Sequence, residues 1–405
     1  MMGYGYKPEL SEGAVKCPVF QTSTFVFKTA EEGKAFFEMA HGKPGNEGRE
    51  MGLIYSRINN PDMEILEERL KLWDGGEAAA AFSSGMSAIA TSLVSFLKPG
   101  DVLLFSNPIY GGTHKFIHFM LRNWGVTPIG FNAGDSKEKI IDMIRQENAG
   151  DALRMIYVET PANPTNDLID IGMCRDIAEH FSNAEKKVYV AVDNTYMGPL
   201  WAHPLKHGAD IVLYSATKYI GGHSDLIAGA AVGSREIIKT IKKSRTVFGT
   251  MIDPHTSWLL MRSLETLKIR MEAAAQNAAV IAEYLSNHPK VTKVYYLGYT
   301  EKNNPAQADL VKKQYLSFGA MLSFDVYGGE KEAFQFLNNL KHIKLAVSLG
   351  GTESLAEHPF SMTHADVPTE EKNRLGLTEN MIRLSVGIEH HRDLIDDIEQ
   401  ALKTI

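Results

Sequence analysis

The sequence predicts an α/β fold, with a mostly parallel sheet in a large domain followed by a smaller α+β domain. Short apolar runs alternate with helical stretches; the runs are VLLFS near Val102, MIYVET near Met155, VYVAVDN near Val188 and IVLYS near Ile211. Strands that are apolar along their whole length are typical of parallel sheets covered by helices on both faces. A chain of 405 residues is also too long for one small core, so two domains are expected.

The first 60 residues are predicted to form an extended arm. They are rich in glycine and polar side chains, especially between His41 and Gly52, and they show no sustained apolar period. From Pro61 the spacing of apolar residues instead predicts a surface helix that ends at Gly75. The large domain is therefore expected to span residues 61–253.

Residues 254–405 are predicted to form the smaller domain. A helical pattern starts after Asp253 and continues to about His288, so a single long helix is expected to connect the two domains. The shorter strands KVYYL and GAMLSFDV and further helices follow it.

Composition argues against several kinds of partner. The formal net charge is -7 and the basic residues are scattered, so nucleic acid is not expected to bind. Cys17 and Cys174 are the only cysteines and form no CxxC pattern, which argues against a disulfide framework or a cysteine-rich metal site. The chain starts without a signal-peptide pattern, and no apolar run approaches the roughly 18 residues of a membrane helix. A cytoplasmic protein without membrane or metal binding is therefore expected.

Two candidate functional groups follow predicted strands. In open α/β sheets, ligands bind beyond the carboxyl ends of the strands. Lys218 comes after IVLYS and before a glycine pair, although a lysine in such a place is, taken alone, more often an ordinary surface residue. Asp193 closes VYVAVDN, where a helix cap is the ordinary alternative. Together they indicate a lysine nucleophile beside a carboxylate that can pair with a pyridine nitrogen and keep that ring cationic.

Two further groups complete a set. The segment FSSGMSAIATSLVSFL places serines before an apolar helix, so the backbone N–H groups of Gly85 and Met86 are expected to face a phosphate; a plain capped helix start is the alternative. Arg383 lies among apolar residues in NMIRLSVGIEH, where an unpaired guanidinium would be costly to bury. It is expected either to bind a substrate carboxylate or to form a structural salt bridge. These four groups are the ones that a pyridoxal-phosphate (PLP) enzyme acting on amino acids needs.

The motifs around these residues resemble the Cys/Met-metabolism PLP family, which includes cystathionine γ-synthases, cystathionine γ-lyases and methionine γ-lyases. They run over nearly the whole chain and are QTSTF at Gln21, YSRINNP at Tyr55, SSGMSA at Ser83, YGGT at Tyr110, ETPANPT at Glu159, VDNTY at Val192, SATKYIGGHSD at Ser215, SLGGTESLAEHP at Ser348 and IRLSVGIE at Ile382. The resemblance implies PLP fold type I, the aspartate-aminotransferase fold, with a seven-stranded sheet in the large domain. It also implies PLP as cofactor, an amino-acid substrate, and a homotetramer of two catalytic dimers in which the N-terminal arm contacts a neighbouring subunit.

The resemblance further implies a role for each site residue. Lys218 would bind PLP covalently, Asp193 would pair with the pyridine nitrogen, Tyr110 would stack on the ring and serve as a general acid, and Asn163 would hydrogen-bond the phenolic oxygen. The residues that would bind the phosphate are Gly85, Met86, Ser215 and Thr217, with Tyr55 and Arg57 from a neighbouring subunit. The residues that would bind the substrate are Arg383, Ser348, Asn163 and Val347.

The implied reaction is γ-elimination or γ-replacement on a γ-substituted amino acid, which releases 2-oxobutanoate and ammonia or forms a replaced product. Two positions narrow the substrate. Gly112 stands where methionine γ-lyases typically have a cysteine, which argues against a dedicated methionine γ-lyase. Val347 stands where enzymes handling cystathionine commonly have a glutamate, which argues against cystathionine as the preferred substrate.

Several alternatives accompany this interpretation. Glu47, Arg49 and Glu50 are expected near the pocket mouth, either as a solvated charge run or as a site for a cationic side chain, which would make a canavanine γ-lyase. β-Elimination on cystathionine or cysteine-type substrates is a third possibility. A NAD-dependent dehydrogenase would need a GxGxxG turn, which the sequence lacks. A non-catalytic PLP-binding module would not need Arg383.

Overall fold

The computed structural model describes residues 2–40, 42–43, 51–365 and 367–405, and its larger sheet has seven strands. They are β1 (Ala78–Phe82), β2 (Val102–Asn107), β3 (Thr127–Asn132), β4 (Leu153–Glu159), β5 (Tyr189–Asp193), β6 (Ile211–Ser215) and β7 (Gly229–Gly233). Their order across the sheet is β1-β7-β6-β5-β4-β2-β3. Of these seven strands, β7 runs opposite to the other six. The predicted mostly parallel sheet is confirmed.

Helices cover both faces of this sheet. The helices in this part of the chain are α1 (Ala30–Ala40), α2 (Pro61–Asp74), α3 (Gly85–Phe96), α4 (Gly111–Lys115, continuing as a π-helix over Phe116–Leu121), α5 (Lys137–Gln146), α6 (Ile171–Phe181), α7 (Gly198–Trp201) and α8 (Arg235–Phe248). Successive residues of β2 point to opposite faces: Leu103 packs in a core with Ile89 of α3, whereas Leu104 packs with Ile140 of α5 and with Cys174. The apolar runs are therefore buried on both sides, as the sequence indicates.

Three strands carry no strong apolar signal in the sequence. Strands β1 and β7 consist mainly of alanine and glycine. Small residues are needed there because neighbouring backbone lies close: a Cβ on Gly229 would come within 2.1 Å of the Ser84 carbonyl oxygen. Strand β3 contains proline and glycine and lies at the edge of the sheet, where a missing ladder hydrogen bond is tolerated.

The helix predicted from Pro61 is present as α2, but it does not lie at the surface. Asn60 caps its start and Gly75, at φ 68°, ends it. Four of its charged residues, Asp62, Glu67, Arg69 and Asp74, are nevertheless buried, and Glu67 forms ion pairs with Arg245 and Lys242 of α8. The prediction of a surface helix is therefore wrong. The sequence did not reveal the burial, because ion pairs in the interior leave no periodic pattern of apolar residues.

The predicted arm is also not extended throughout. Residues Ala30–Ala40 form α1, and Pro8–Leu10 form a short 3₁₀ helix. The start of α1 has a sequence signal, because Thr29 accepts a hydrogen bond from the backbone N–H of Glu32. Its apolar residues are too few to give a long periodic pattern.

The predicted long connecting helix is broken into two, α9 (Pro254–Leu264) and α10 (Leu267–Ser286). Arg270 stabilises the break: its side chain donates to the Ser263 carbonyl oxygen at 2.9 Å and to the Thr266 hydroxyl at 3.1 Å. It also donates to the carbonyl oxygen of Tyr219 at 2.9 Å. Arg270 therefore connects the break between the two helices to the loop that contains Lys218.

A second sheet follows, with strand order β10-β11-β12-β9-β8. The strands are β8 (Val291–Tyr295), β9 (Met321–Val326), β10 (Lys344–Leu345), β11 (Leu355–Glu357) and β12 (Met381–Ser385). The helices are α11 (Thr300–Asn303), α12 (Ala308–Gln314), α13 (Glu330–Asn338), α14 (Thr369–Arg374) and α15 (His391–Leu402). The predicted α+β character is confirmed, while the domain boundaries at residues 60 and 253 stay predictions. None of the helices in the described ranges is long and apolar enough to span a bilayer.

Candidate active site

A cavity of about 1140 Å³ opens where β4, β5 and β6 end, between the two sheets. The predicted site residues that line it are Gly85, Met86, Tyr110, Asn163, Asp193, Ser215, Thr217, Lys218, Val347, Ser348 and Arg383. Residues from widely separated parts of the sequence thus meet in one place, at the carboxyl ends of parallel strands.

Lys218 lies in the turn after β6, largely buried in the cavity wall. Its ammonium group donates a hydrogen bond to the hydroxyl of Ser348 at 2.7 Å. Burial and the positive charge of Arg383 lower the pKa of the Lys218 amine to about 8, although the carboxylate of Glu357 opposes this shift. A larger fraction of the amine is therefore neutral near physiological pH than for a solvent-exposed lysine, as a nucleophile or base requires.

Two buried carboxylates lie side by side at the strand ends. Asp193 of β5 is the register partner of Glu159 of β4. Asp193 accepts hydrogen bonds from the Thr195 backbone N–H at 3.0 Å and the Tyr157 hydroxyl at 3.2 Å. Burial raises the pKa of both acids, and the proximity of Asp193 adds to the effect on Glu159. A cationic partner for Asp193 would reduce this cost.

The start of α3, which lies beside β6, has the backbone geometry to bind an anion, and we call it the cradle. Ser84 caps the helix and accepts from the Ser87 backbone N–H at 3.0 Å, whereas Gly85 and Met86 lie in the first turn, where N–H groups have no intrahelical acceptor. A Cβ on Gly85 would lie 2.7 Å from the Cβ of Ser215. Glycine is therefore required for Ser215 to approach the cradle.

Tyr110 stands at the cavity wall with 48% of its surface exposed. Its backbone N–H donates to the Glu159 carboxylate at 2.6 Å, which fixes the start of α4. A Cβ at Gly112 would lie 2.6 Å from Cε1 of the Tyr110 ring and 3.2 Å from the Met86 sulfur. A cysteine at position 112 would thus require the Tyr110 ring to move.

Arg383 of β12 is buried and only partly satisfied. Its Nη1 forms an ion pair with Glu357 at 2.7 Å and donates to Asn163 Oδ1 at 3.3 Å, and its Nη2 donates to the Ser348 carbonyl oxygen at 2.7 Å. Among the described residues, Nε has no partner. The structural salt bridge that the sequence allows is present, yet donors remain for a ligand.

Ser348 connects Lys218 to Arg383. Its hydroxyl accepts from Lys218 and its carbonyl oxygen accepts from Arg383. Its φ of 95° lies in the left-handed region that L residues rarely adopt. A strained residue at the centre of the site is common where geometry serves function.

Two predicted site residues do not reach this cavity. Tyr55 and Arg57 lie on the exposed loop before α2, where Arg57 donates to the Thr246 carbonyl oxygen at 2.7 Å. Glu47, Arg49 and Glu50 lie outside the described residues. The sequence also left two acids without a role: Glu159, a cavity residue that ends its strand as Asp193 does, and Glu357 behind the cavity, whose only signal is its cross-strand position opposite Arg383.

The site fits pyridoxal phosphate. It combines an amine of lowered pKa, a buried carboxylate suited to a pyridinium, and a helix start whose first turn can bind a phosphate. In the described part of the chain, no cluster of His, Cys, Asp and Glu side chains is arranged to hold a metal ion.

Comparison with known proteins agrees with this fit. The family model of Cys/Met metabolism PLP-dependent enzymes matches residues 2–403. The chain is 39% identical to the L-methionine gamma-lyase of Pseudomonas putida, covering 99% of this chain and 95% of that protein. It is 39% identical to the cystathionine gamma-lyase of Bacillus subtilis, covering 100% and 98%.

A solved structure, the cystathionine gamma-lyase from Lactobacillus plantarum complexed with L-serine, has a TM-score of 0.87 and 33% identity, covering 100% of this chain and 97% of that one. The fold is therefore PLP fold type I, and the cofactor is PLP. The chain belongs to the Cys/Met metabolism family of PLP-dependent enzymes, the lyases and γ-synthases of sulfur amino acids.

Proposed function

We propose that this enzyme catalyses γ-elimination on an amino acid with an uncharged γ-substituent, such as a thioether, a thiol or a homoserine ester. Water is consumed, and the products are 2-oxobutanoate, ammonia and the group that leaves the γ-carbon: a thiol from a thioether, hydrogen sulfide from a thiol, or a carboxylic acid from an ester. The names of the relatives support this class, since both methionine and cystathionine γ-lyases are among them.

The observation that carries the proposal is the link from Lys218 through Ser348 to Arg383. A substrate carboxylate at the free donors of Arg383 would bring the α-carbon towards the Lys218 amine, because Ser348 contacts both side chains. Bidentate arginine–carboxylate pairs fix orientation as well as adding affinity. The α-proton is therefore expected to face Lys218.

Cofactor binding and the proton transfers are assigned to individual residues of the chain. When bound, PLP supplies the electron sink that stabilises negative charge at the substrate's α-carbon. Asp193 keeps the proton on the pyridine nitrogen, and the cradle at Gly85 holds the phosphate. Lys218 removes and returns protons at the substrate carbons, since burial lowers the pKa of its amine to about 8. Tyr110 protonates the leaving group.

The walls of the cavity favour an apolar γ-substituent. The apolar residues that line it include Val347, Met362, Ile227 and Phe119, and all four are partly exposed. No carboxylate is present at position 347 to meet a distal ammonium, which disfavours cystathionine. Canavanine finds no support in the relatives, and the charged segment that suggested it lies outside the described residues.

γ-Replacement is the second candidate. A structurally similar protein, the cystathionine gamma synthase from Xanthomonas oryzae, was solved with aminoacrylate and cysteine.

We further propose that the active unit is a dimer within a homotetramer. An apolar groove of about 570 Å³ lies next to the cavity and shares Met86, Gly112 and Phe119 with it. Its exposed members include Met120, Trp124 and Phe248. A second copy would cover this groove, and its Tyr55 and Arg57 would reach the phosphate cradle.

The test is a substrate panel with purified holoenzyme: methionine, homocysteine, O-acetylhomoserine, O-succinylhomoserine, cystathionine and cysteine, each with and without an added thiol. We expect 2-oxobutanoate and ammonia from methionine, homocysteine and O-acetylhomoserine. Thioether formed faster than 2-oxobutanoate would indicate γ-replacement. Pyruvate from cysteine-type substrates, with no 2-oxobutanoate from any γ-substituted one, would overturn the proposal.

A further inference from the structure

The ion pair between Arg383 and Glu357 lies behind the cavity. The two residues are cross-strand register partners in the antiparallel pair β11–β12. Their side chains are 2% and 0% exposed, and the contact is 2.7 Å. Arg383 lines the cavity, whereas Glu357 does not. The carboxylate therefore acts on the guanidinium from the side away from the substrate.

Counting donors shows which edge of Arg383 remains for a ligand. A guanidinium has five N–H groups. Glu357 and Asn163 occupy the two on Nη1, and the Ser348 carbonyl oxygen occupies one on Nη2. The buried Nε hydrogen and one Nη2 hydrogen are left, and Nε and Nη2 share the one edge of the guanidinium that neither Glu357 nor Asn163 touches. Glu357 thus occupies Nη1 and leaves the Nε–Nη2 edge to other partners.

Glu357 also changes the charge that the substrate meets. A buried arginine paired with a buried carboxylate is nearly neutral as a unit, so its attraction for a second carboxylate is weaker than that of an arginine alone. The Thr363 hydroxyl donates to the same Glu357 oxygen at 3.1 Å, while the other carboxylate oxygen has no partner among the described residues. Thr363 therefore draws part of the negative charge away from Arg383.

We infer that Glu357 is a positioning residue for Arg383: it directs the Nε–Nη2 edge towards the substrate carboxylate and limits the affinity of that site by neutralising the guanidinium. This rests on the proposed role of Arg383. The benefit is release of product, since 2-oxobutanoate carries the same carboxylate as the substrate and leaves only if its binding is moderate.

The first experiment compares Glu357→Gln with wild-type holoenzyme in the binding of butanoate, measured by calorimetry. Butanoate has the carboxylate but no amine, so it cannot react. Glutamine keeps the size and one acceptor for Nη1 but removes the charge, and we expect butanoate to bind about three- to tenfold more tightly. The KM for substrate should fall in parallel, and kcat should not rise. Glu283→Gln, which removes a charge from an exposed position of α10, should bind like wild type.

A purely structural role for Glu357 predicts the opposite sign, namely loss of stability and weaker butanoate binding. Unchanged or weaker binding by folded Glu357→Gln would overturn the inference. If that variant does not fold, Thr363→Val replaces it: loss of the hydroxyl returns negative charge to Arg383, so binding should weaken about twofold, whereas Thr363→Ser should bind normally. A Thr363→Val variant that binds as wild type would equally overturn the inference.

The same assay separates the inference from the proposed function. Arg383→Lys should weaken butanoate binding at least about tenfold, because lysine cannot form the bidentate contact. If it does not, Arg383 is not the carboxylate site and both conclusions fail. If Arg383→Lys weakens binding while Glu357→Gln leaves it unchanged, only the role of Glu357 fails.

Discussion

Substitution of Lys218 by alanine is expected to lower turnover at least about 100-fold, because both the covalent attachment of the cofactor and the proton-transferring amine are lost. PLP should still bind, through the cradle at Gly85 and the carboxylate of Asp193. Equilibrium dialysis and mass spectrometry after borohydride reduction measure the two properties separately. The matched control is Lys206→Ala at an exposed position, which should retain activity and covalent PLP. A Lys218→Ala enzyme with a near-normal rate would refute the assignment.

Val347 offers a test of substrate choice at one position. It lines the cavity next to Ser348, on the side to which the γ-substituent points in the proposed binding mode. Val347→Glu should lower kcat/KM for methionine and raise it for cystathionine, each by about tenfold, since the new carboxylate can pair with a distal ammonium. Val347→Gln supplies the same bulk without charge. Equal effects of the two variants on cystathionine would contradict the electrostatic explanation.

At the residue scale, the sequence predicts groups that terminate strands better than groups that pair across the fold. Lys218 and Asp193 follow apolar strands, so their positions at the sheet edge are readable from the sequence. The contact of Lys218 with Ser348 joins residues 130 positions apart, and that of Glu357 with Arg383 depends on sheet register. Neither leaves a local pattern. Glu159 ends its strand just as Asp193 does, so a consistent reading of strand ends would have included it.

The junction between α3 and β6 is tested by Gly85→Ala. The added Cβ would lie 2.7 Å from the Ser215 Cβ and 2.9 Å from its Cα, so backbone must shift in the phosphate cradle. PLP affinity of the apoenzyme is expected to fall about tenfold or more in a spectrophotometric titration. Gly3→Ala is the control, because a Cβ there meets nothing within 4 Å. Unchanged affinity would mean that the cradle tolerates a displaced helix start.

The end of α2 predicts a pH-dependent stability. Asp74 is the last residue of this helix; its Oδ1 accepts from the Tyr214 hydroxyl at 2.6 Å, and Oδ2 is buried without a partner among the described residues. Burial raises the pKa of Asp74 from 3.8 to about 7. Because the folded-state pKa is raised, the ionised form is disfavoured in the native state. The contribution of protonated Asp74 to the stability of the native state is fully present below about pH 4 and is lost as pH rises through about 7.

The free energy of unfolding of Asp74→Asn should therefore increase relative to that of wild type as pH rises. Between pH 5 and 8 the difference in unfolding free energy should shift in favour of the variant by about 2 to 3 kcal/mol, as urea titrations at the two pH values would measure. Asp396→Asn, an exposed acid on α15, should show no such shift. A constant difference across this range would show that Asp74 is ionised throughout.

At the element scale, strongly apolar strands and capped helices were predictable, and exceptions have specific causes. Strands β1 and β7 are built from small residues because α3 and its cap lie against them. The continuous helical pattern after Asp253 hides a break, because the side chain of Arg270 replaces the missing backbone contacts. Compensation of this kind by a side chain leaves no trace in the periodic spacing of apolar residues.

The whole molecule explains why one site needs elements from both sheets. The larger sheet supplies Asp193 and Lys218, and the smaller sheet supplies Arg383. In the proposed binding mode, the cofactor and the substrate carboxylate are therefore bound by different layers, and Ser348 lies at their junction. The site residues Tyr55 and Arg57 remain outside, which a single chain does not account for.

Subunit complementation tests whether a partner completes the site. Lys218→Ala and Arg57→Ala enzymes should each be nearly inactive if Arg57 binds the phosphate of a neighbouring subunit. When the two are unfolded and refolded together, half of the dimers are mixed, and in each mixed dimer one of two sites has both residues. About one quarter of wild-type activity should therefore return. No recovery, despite mixed dimers seen by native mass spectrometry, would place Arg57 in the site of its own chain, whereas an active Arg57→Ala enzyme would place it outside any site. Recovery near one quarter is not possible if each chain works alone.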